Sequence, residues 1–127
     1  MKKLDTIFSR YIRLRDTDAY GKGKCFTCGC DVTYFNAECG HFRSRRHEST
    51  RWHPNNAHIQ CIECNHGDSM VQYIIAMEEK HPDEVNDLVA LSNQSVKLTK
   101  DDKERIYQHY KKLVKDLISD KMFTINL

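Results

Sequence analysis

Two cysteine pairs with the same spacing are the residues of this sequence best suited to metal chemistry. Cys25 and Cys28 form the first pair, and Cys61 and Cys64 form the second. Two such pairs place four thiolates tetrahedrally around a zinc ion. A redox-active pair, or unligated buried cysteines, would not explain why the spacing occurs twice. Because four sulfur ligands leave no open coordination position, we expect a structural Zn²⁺ that takes no part in a reaction.

Three polar residues follow a fixed order around these pairs. His41 lies in a short segment with strand character, Asn56 opens a second such segment, and Asn65 follows Cys64 where a helix is predicted to begin. This order of histidine, asparagine and asparagine resembles the HNH endonucleases, which are also called His-Me finger or ββα-metal nucleases. In such chemistry a neutral histidine takes a proton from the attacking water, and a divalent ion polarises the phosphate.

A narrower resemblance covers most of the chain and includes a Gly-His-Phe and a Thr-Arg-Trp sequence. It is to the phage recombination proteins of the NinG family, also called Rap. The stretches that carry it are 4–16, 25–29, 40–47, 50–52, 56–65 and 96–99. The resemblance implies a phage or prophage protein in the bacterial cytoplasm. It also implies an endonuclease that acts on branched recombination intermediates, such as Holliday junctions and D-loops, and leaves 5′-phosphate and 3′-hydroxyl ends.

The resemblance also assigns roles to individual residues. His41 would be the general base, Asn56 would orient it, and Asn65 would bind a catalytic Mg²⁺ or Mn²⁺. Many HNH enzymes have an aspartate directly before the base as a second metal ligand, whereas this chain, like NinG proteins, has Gly40. Asp68, about one helical turn after Asn65, is the first candidate for the second ligand. Further candidates are His66, His58 and Glu38.

An arginine-rich loop follows His41. Its four arginines are Arg43, Arg45, Arg46 and Arg51. Guanidinium groups bind phosphate oxygens in pairs, and such contacts position DNA without reading its bases. We therefore expect a DNA substrate that is selected by shape, with Arg13 on the first helix as a further contact. For the loop, the alternative is a solvated segment whose arginines pair with Glu48 or Glu38. For the first helix, the alternative is that its arginines, including Arg10 and Arg15, only form its solvent-exposed face.

Length and composition limit the possible classes of protein. The chain has 127 residues, of which 39% are hydrophobic and 30% charged, so we expect one small domain. No apolar stretch is long enough to span a membrane, and the charged N-terminus is unlike a signal peptide. We therefore expect a cytosolic protein without a membrane partner, in which six cysteines favour metal binding over three disulfides. Cys30 and Cys39 are expected to stay reduced and structural, with competition of Cys30 for the metal as an alternative.

The charge is distributed unevenly along the chain. Residues 1–53 contain eleven lysines and arginines against six acidic residues, whereas the remainder contains nine against twelve. A positive first half is typical of a surface that binds a polyanion. On the last helix lysines alternate with aspartates, which indicates a solvated face. Those residues are Lys111, Lys112, Lys115, Asp116, Asp120 and Lys121.

Hydrophobic periodicity predicts the α+β elements that would hold these groups. A basic amphipathic helix covers residues 4–16, and short strands cover 35–42 and 57–62. Val71, Ile74, Ile75 and Met77 mark a helix, another begins at Pro82, and residues 99–102 cap the last. The resulting domain comprises a helix and linker at 1–24, a zinc-braced ββα core at 25–80 and C-terminal helices at 81–127. Trp52 would either pack under the arginine loop or act as a wedge at a junction.

Two other functions are compatible with the same residues. An HNH nuclease that cuts ordinary duplex DNA would share every catalytic residue. A zinc-braced DNA-binding module without activity would use the arginines but would not need His41. Because a four-way junction is two-fold symmetric, we expect an enzyme that cuts it to form a homodimer.

Overall fold

Short strands and helices alternate along the chain in a computed structural model that describes residues 2–126. The strands are β1 (Lys22–Lys24), β2 (Asp31–Thr33), β3 (Glu38–His41) and β4 (Ala57–Gln60). The helices are α1 (Lys2–Arg15), α2 (Glu48–Arg51), α3 (Ile62–His66), α4 (Met70–Lys80), α5 (Pro82–Ser92) and α6 (Lys100–Ile118), and a 3₁₀ turn covers Pro54–Asn56. This arrangement confirms the predicted mixed α+β class.

The strands form two separate antiparallel pairs. β1 and β2 make a hairpin whose connecting loop carries the first cysteine pair. β3 pairs with β4 in a register that places Gly40 opposite His58 and His41 opposite Ala57. Because side chains alternate along a strand, Cys39 and His41 point to one face of this pair, whereas Glu38 and Gly40 point to the other.

Helix α1 covers the face of the β3–β4 pair to which His41 points. Its apolar stripe includes Leu4, Phe8 and Ile12, all buried, as the 3.6-residue period predicts. The same helix packs along α6, where the edge of the Tyr110 ring meets the ring of Phe8 at 5.0 Å between centroids. The main core of the protein therefore lies between the two terminal helices and this pair of strands.

Helix α4 covers the opposite face of the same strands. The Tyr73 hydroxyl donates a hydrogen bond to the carbonyl of Gly40 over 2.7 Å. Gly40 faces the side chain of Gln60 so closely that a Cβ atom would overlap the amide. The strand pair is thus enclosed between α1 and α4. A smaller apolar cluster on the α4 side contains Phe26, Phe42, Tyr73, Ala76, Met77 and Leu88.

The predicted ends of the elements agree best where a capping residue fixes them. Thr99 and Asp102 form a reciprocal capping box at the start of α6, with hydrogen bonds of 3.0 and 2.9 Å. The predicted strands are longer than β3 and β4, and Phe35 is exposed. The β1–β2 hairpin and the short helix α2 were not predicted, because segments of three or four residues carry no measurable period.

Two predicted surfaces differ in the structure. The residues that marked α4 by their period are largely exposed, since Val71, Ile74 and Ile75 face solvent. Lys121, expected on a solvated face, instead donates to the carbonyls of Leu14 and Thr17, over 2.8 and 2.7 Å. It thereby satisfies carbonyl groups at and beyond the end of α1. No helix within residues 2–126 is both long and apolar enough to cross a membrane.

Candidate functional site

The two cysteine pairs meet in one cluster. The Sγ atoms of Cys25, Cys28, Cys61 and Cys64 all lie within 4.8 Å of one another. The Sγ atoms of Cys28 and Cys61 are 3.8 Å apart. Zn–S bonds of about 2.3 Å place the sulfurs of a tetrahedral site about 3.8 Å apart. The predicted four-cysteine cluster is therefore confirmed, and its donor set fits a structural metal such as zinc.

The backbone around Cys25 favours the thiolate form of this one cysteine of the cluster. Gly29 adopts a positive φ of 78°, which lets the chain turn back so that its N–H donates to the carbonyl of Cys25. Burial alone would raise the pKa of the Cys25 thiol. Hydrogen bonds, first among them that from the backbone N–H of Cys28, outweigh burial and lower this pKa to about 6. A deprotonated sulfur is the form that binds a metal.

The two remaining cysteines lie outside this cluster. Cys30 is exposed in the β1–β2 loop, where its thiol lies close to those of Cys28 and Cys61, and Cys39 lies on the α1 face of β3. Burial raises the pKa of Cys39 to about 12, so its sulfur stays a protonated thiol.

His41 is held at the end of β3 by a single hydrogen bond. Its Nε2 donates to the carbonyl of Arg51 over 2.9 Å, which leaves the lone pair on Nδ1. Within residues 2–126 no hydrogen bond engages Nδ1 of His41, and this atom is not among the fully buried side-chain atoms that lack a partner. Burial of the ring lowers the pKa of His41. The imidazole is therefore neutral at pH 7 and can accept a proton.

Asn56 fixes the loop that holds His41. Its side chain is fully buried, and its Oδ1 accepts a hydrogen bond from the N–H of Arg43 over 2.8 Å. Its Nδ2 donates to the carbonyl of Arg43 over 3.1 Å and to that of Thr50 over 3.0 Å. Thr50 directly precedes Arg51, whose carbonyl binds the His41 ring. The asparagine thus ties both ends of the arginine loop to the start of β4.

Asn65 lies in a different part of the structure from His41. Its Nδ2 donates to Oε1 of Glu38 over 2.8 Å, and Nε2 of His66 lies 2.6 Å from the same oxygen. The structure therefore brings together three of the residues considered as ligands of a divalent ion. Asp68 is exposed just after α3 and contacts none of them through a hydrogen bond.

The strand geometry separates this group from the histidine. Glu38 and His41 are three residues apart on β3, so their side chains point to opposite faces of the strand pair. His41 points towards Phe8 of α1, at 5.8 Å between ring centroids. Asn65 and His66 contact Glu38 on the α4 side. No hydrogen bond within residues 2–126 joins His41 to Asn65 or Asp68.

The arginines of the predicted DNA-binding set divide into two groups. Arg45 and Arg46 are exposed, and no ion pair engages either side chain within residues 2–126. The other three are bound within the protein. The Nε atom of Arg43 donates to Ser92 of α5 over 2.8 Å, Arg13 donates to the carbonyl of Tyr34 over 3.1 Å, and Arg51 donates to Asp5.

Trp52 packs under the arginine loop, which is the first of the two arrangements considered for it. Its ring is buried, and its Nε1 donates to Oδ1 of Asp5 over 2.9 Å. The guanidinium of Arg51 lies above the ring at 5.2 Å from the centroid. An alternative from the sequence was that the loop arginines pair with Glu48 or Glu38. In the structure the loop pairs with Asp5.

Residues 1–120 match the model of the family described as bacteriophage lambda NinG protein. The chain belongs to this family. No curated protein and no solved structure matches the chain. Membership of the NinG family confirms the predicted relation to phage recombination proteins.

Sequence reasoning missed one residue of the site in this NinG family member. Asp5, in the first turn of α1, accepts hydrogen bonds from both Arg51 and Trp52. Burial alone would raise the pKa of Asp5, but these hydrogen bonds outweigh it and lower the pKa. Its place in a stretch shared with NinG proteins was a signal. Nothing in its spacing pointed to a partner some forty residues away.

Proposed function

We propose that this NinG family member is a metal-dependent endonuclease that hydrolyses phosphodiesters in branched DNA. The observation that carries the proposal is a neutral histidine, His41, whose free Nδ1 lies at the end of a strand beside an arginine-rich loop. A neutral imidazole fixed in this way has the protonation state that a general base requires. Membership of a phage recombination family supports DNA as the substrate.

In the proposed reaction, Nδ1 of His41 takes a proton from the water that attacks the phosphorus. The Nε2 hydrogen bond to Arg51 fixes the ring and its tautomer. Asn56 acts as a positioning residue, since its amide binds the neighbouring carbonyl of Thr50. A shift of the loop would therefore move the base away from the water.

Arg45 and Arg46 supply the proposed phosphate contacts. Both guanidinium groups are exposed and unpaired within residues 2–126, so they bind phosphate without first breaking an ion pair. Arg43, Arg51 and Arg13 shape the loop and its support through their own hydrogen bonds. Contacts of this kind do not read bases, which favours selection of DNA by shape.

Glu38, Asn65 and His66 are the residues we propose to hold a catalytic divalent ion. Carboxylate and amide oxygens suit Mg²⁺ and Mn²⁺, and an imidazole favours Mn²⁺ among the two. When bound, such an ion would polarise a phosphate and stabilise the leaving oxygen. Asp68 would join this set only after movement of the segment that follows α3.

One observation favours a second candidate function. The proposed ion ligands and His41 lie on opposite faces of β3. A zinc-braced DNA-binding module without activity would need no contact between them, and it would use the same exposed arginines. An HNH nuclease of ordinary duplex DNA is the remaining alternative, and it differs from the proposed enzyme only in its substrate.

Cleavage of a labelled four-way junction beside a matched linear duplex tests the proposal. The wild type and His41→Ala are compared with Mg²⁺ or Mn²⁺ present and absent, at constant zinc content. We expect cutting of the junction alone that needs both the ion and His41. His109→Ala, which removes an exposed histidine of α6, serves as the control and should cut normally. Equal cutting of both substrates would indicate a duplex nuclease, and binding without cutting would indicate the non-catalytic module.

A further inference from the structure

A groove runs along the outer side of the α1–α6 pair, away from the strands. Its volume is about 600 Å³. Apolar side chains from both helices form its floor, including Ile7, Val114 and Ile118. Four basic residues line it: Arg10 from α1 and Lys111, Lys112 and Lys115 from α6.

All the charged side chains that line this groove are positive. No acidic residue lines it, and no ion pair or hydrogen bond engages the four basic side chains within residues 2–126. The sequence pattern predicted that the lysines of α6 form a solvated face with alternating charge. These three lysines are exposed, and the fold gathers them with Arg10 of α1. A concentrated positive surface of this kind attracts polyanions.

We propose that this basic groove binds the sugar-phosphate backbone of a DNA duplex arm. Lys111 and Lys115 are one helical turn apart, a rise of about 6 Å, so both can face the same stretch of a phosphate backbone. Lysine supplies point charges and Arg10 a guanidinium fork, which together suit phosphate oxygens. The inference rests on the proposed function only in taking DNA as the ligand.

The arm in the groove is a different one from the arm at His41. Phe8 of α1 contacts the His41 ring, and Arg10 lies two residues later, about 200° around the helix axis. Ile7, also in the groove, is about 100° from Phe8, so the groove and His41 lie on different sides of α1. Duplex DNA is stiff over about 150 base pairs, so one short duplex does not reach both sides without costly bending. A branched molecule supplies two arms that diverge from one point.

Salt-dependent binding to a four-way junction and to a single linear duplex tests this inference. The groove variant is Lys111→Gln with Lys115→Gln. The control is Lys22→Gln with Lys97→Gln, which removes the same charge from exposed positions outside the groove. For the junction, we expect the groove variant to reduce the slope of log K against log salt by about two, one per lysine. The linear duplex should be affected less, because it can still bind at Arg45 and Arg46 beside His41.

The outcomes separate this inference from the proposed function. Junction binding that falls equally in the groove and control variants would overturn the inference, because the loss would then reflect net charge. An equal loss for junction and linear duplex would also overturn it, since both sides would then contact the same arm. A wild type that binds junctions through the groove but never cuts DNA would refute the nuclease alone. Thermal unfolding and zinc content verify that each variant is folded.

Discussion

Arg51 and Asp5 form a two-point ion pair that links the arginine loop to the first helix. Nη2 of Arg51 lies 2.6 Å from Oδ2 of Asp5, and its Nε lies 3.0 Å from Oδ1. The carbonyl of the same arginine binds the ring of His41. One residue thus connects an acidic side chain near the N-terminus to the proposed general base. Any change at Asp5 should therefore alter how the ring of His41 is held.

Asp5→Asn tests this connection. We expect the free energy of unfolding to fall by about 1 to 3 kcal/mol, because charged hydrogen bonds to Arg51 and Trp52 are lost. Since the folded pKa of Asp5 is lowered, this stabilisation is present above its unfolded pKa of about 3.9 and disappears as the pH falls through the folded value. Urea denaturation at pH 7 and at pH 3 measures both effects. Asp31→Asn, which breaks only the exposed pair with Lys24, should leave the free energy of unfolding nearly unchanged.

Asn56→Ala should destabilise the protein by about 2 to 4 kcal/mol. The substitution leaves the N–H and carbonyl of Arg43 and the carbonyl of Thr50 without a partner in a buried place. Denaturant unfolding measures the loss, and Asn55→Ala at the exposed neighbouring position should stay within about 0.5 kcal/mol of the wild type. Similar stabilities for the two variants would mean that the amide does not hold the loop.

The pH dependence of cleavage should follow His41. A protonated imidazole cannot accept the proton of water, so the rate should fall with decreasing pH below the pKa of this residue. Because burial lowers that pKa, the inflection should lie below 6.5. Single-turnover cleavage of the junction, with binding measured over the same range, gives the profile. A rate that stays constant from about pH 8 down to the pH at which the protein unfolds would exclude His41 as the base.

Zinc content should depend on the four clustered cysteines and not on the others. We expect about one Zn²⁺ per chain by mass spectrometry, lost together with thermal stability in Cys61→Ser. Cys30→Ser is the matched control, since Cys30 lies in the same loop region but outside the four-cysteine cluster. Loss of zinc in the control as well would assign the metal to a different set of sulfurs.

His58 should make stability depend on pH. Its ring stacks on Phe26 at 4.0 Å between centroids, and its Nε2 is buried without a partner. Burial lowers the pKa of His58 to about 4. The unfolded chain binds a proton below about pH 6.5 while the folded protein does not, so stability falls as the pH drops from there towards 4.

His58→Phe isolates this contribution. The stability difference between the variant and the wild type should grow by up to roughly 3 kcal/mol between those pH values. Taking the difference cancels the titration of other groups, including the zinc ligands. Urea denaturation of both proteins at several pH values measures it, and a difference that does not change with pH would contradict the assigned pKa.

How much could be predicted from the sequence depended on the kind of signal. The long helices α1 and α6 have a clear period and, for α6, a capping box at Thr99, and both were predicted closely. The cysteine spacing predicted the metal cluster because two pairs with this spacing suit a tetrahedral arrangement of four sulfurs. The faces of β3 were harder to predict, because the exact ends of so short a strand carry no period. The three-residue strands of the hairpin carry none either. Whether Asn65 lies near His41 depends on the face of β3 to which the His41 side chain points. The partnership of Asp5 with Arg51 depends on tertiary packing alone.

The packing of α1 against α6 has a consequence for how the protein folds as it is synthesised. Helix α1 leaves the ribosome well before α6, against which it buries part of its apolar stripe. Until residues 100–118 have emerged, Ile7 and Leu14 lack part of the surface that covers them. Contacts between the two ends of a chain form slowly, because a long loop must close first. The core around β3 is therefore completed only after α6 has emerged, and premature termination before α6 should yield a chain that aggregates or is degraded.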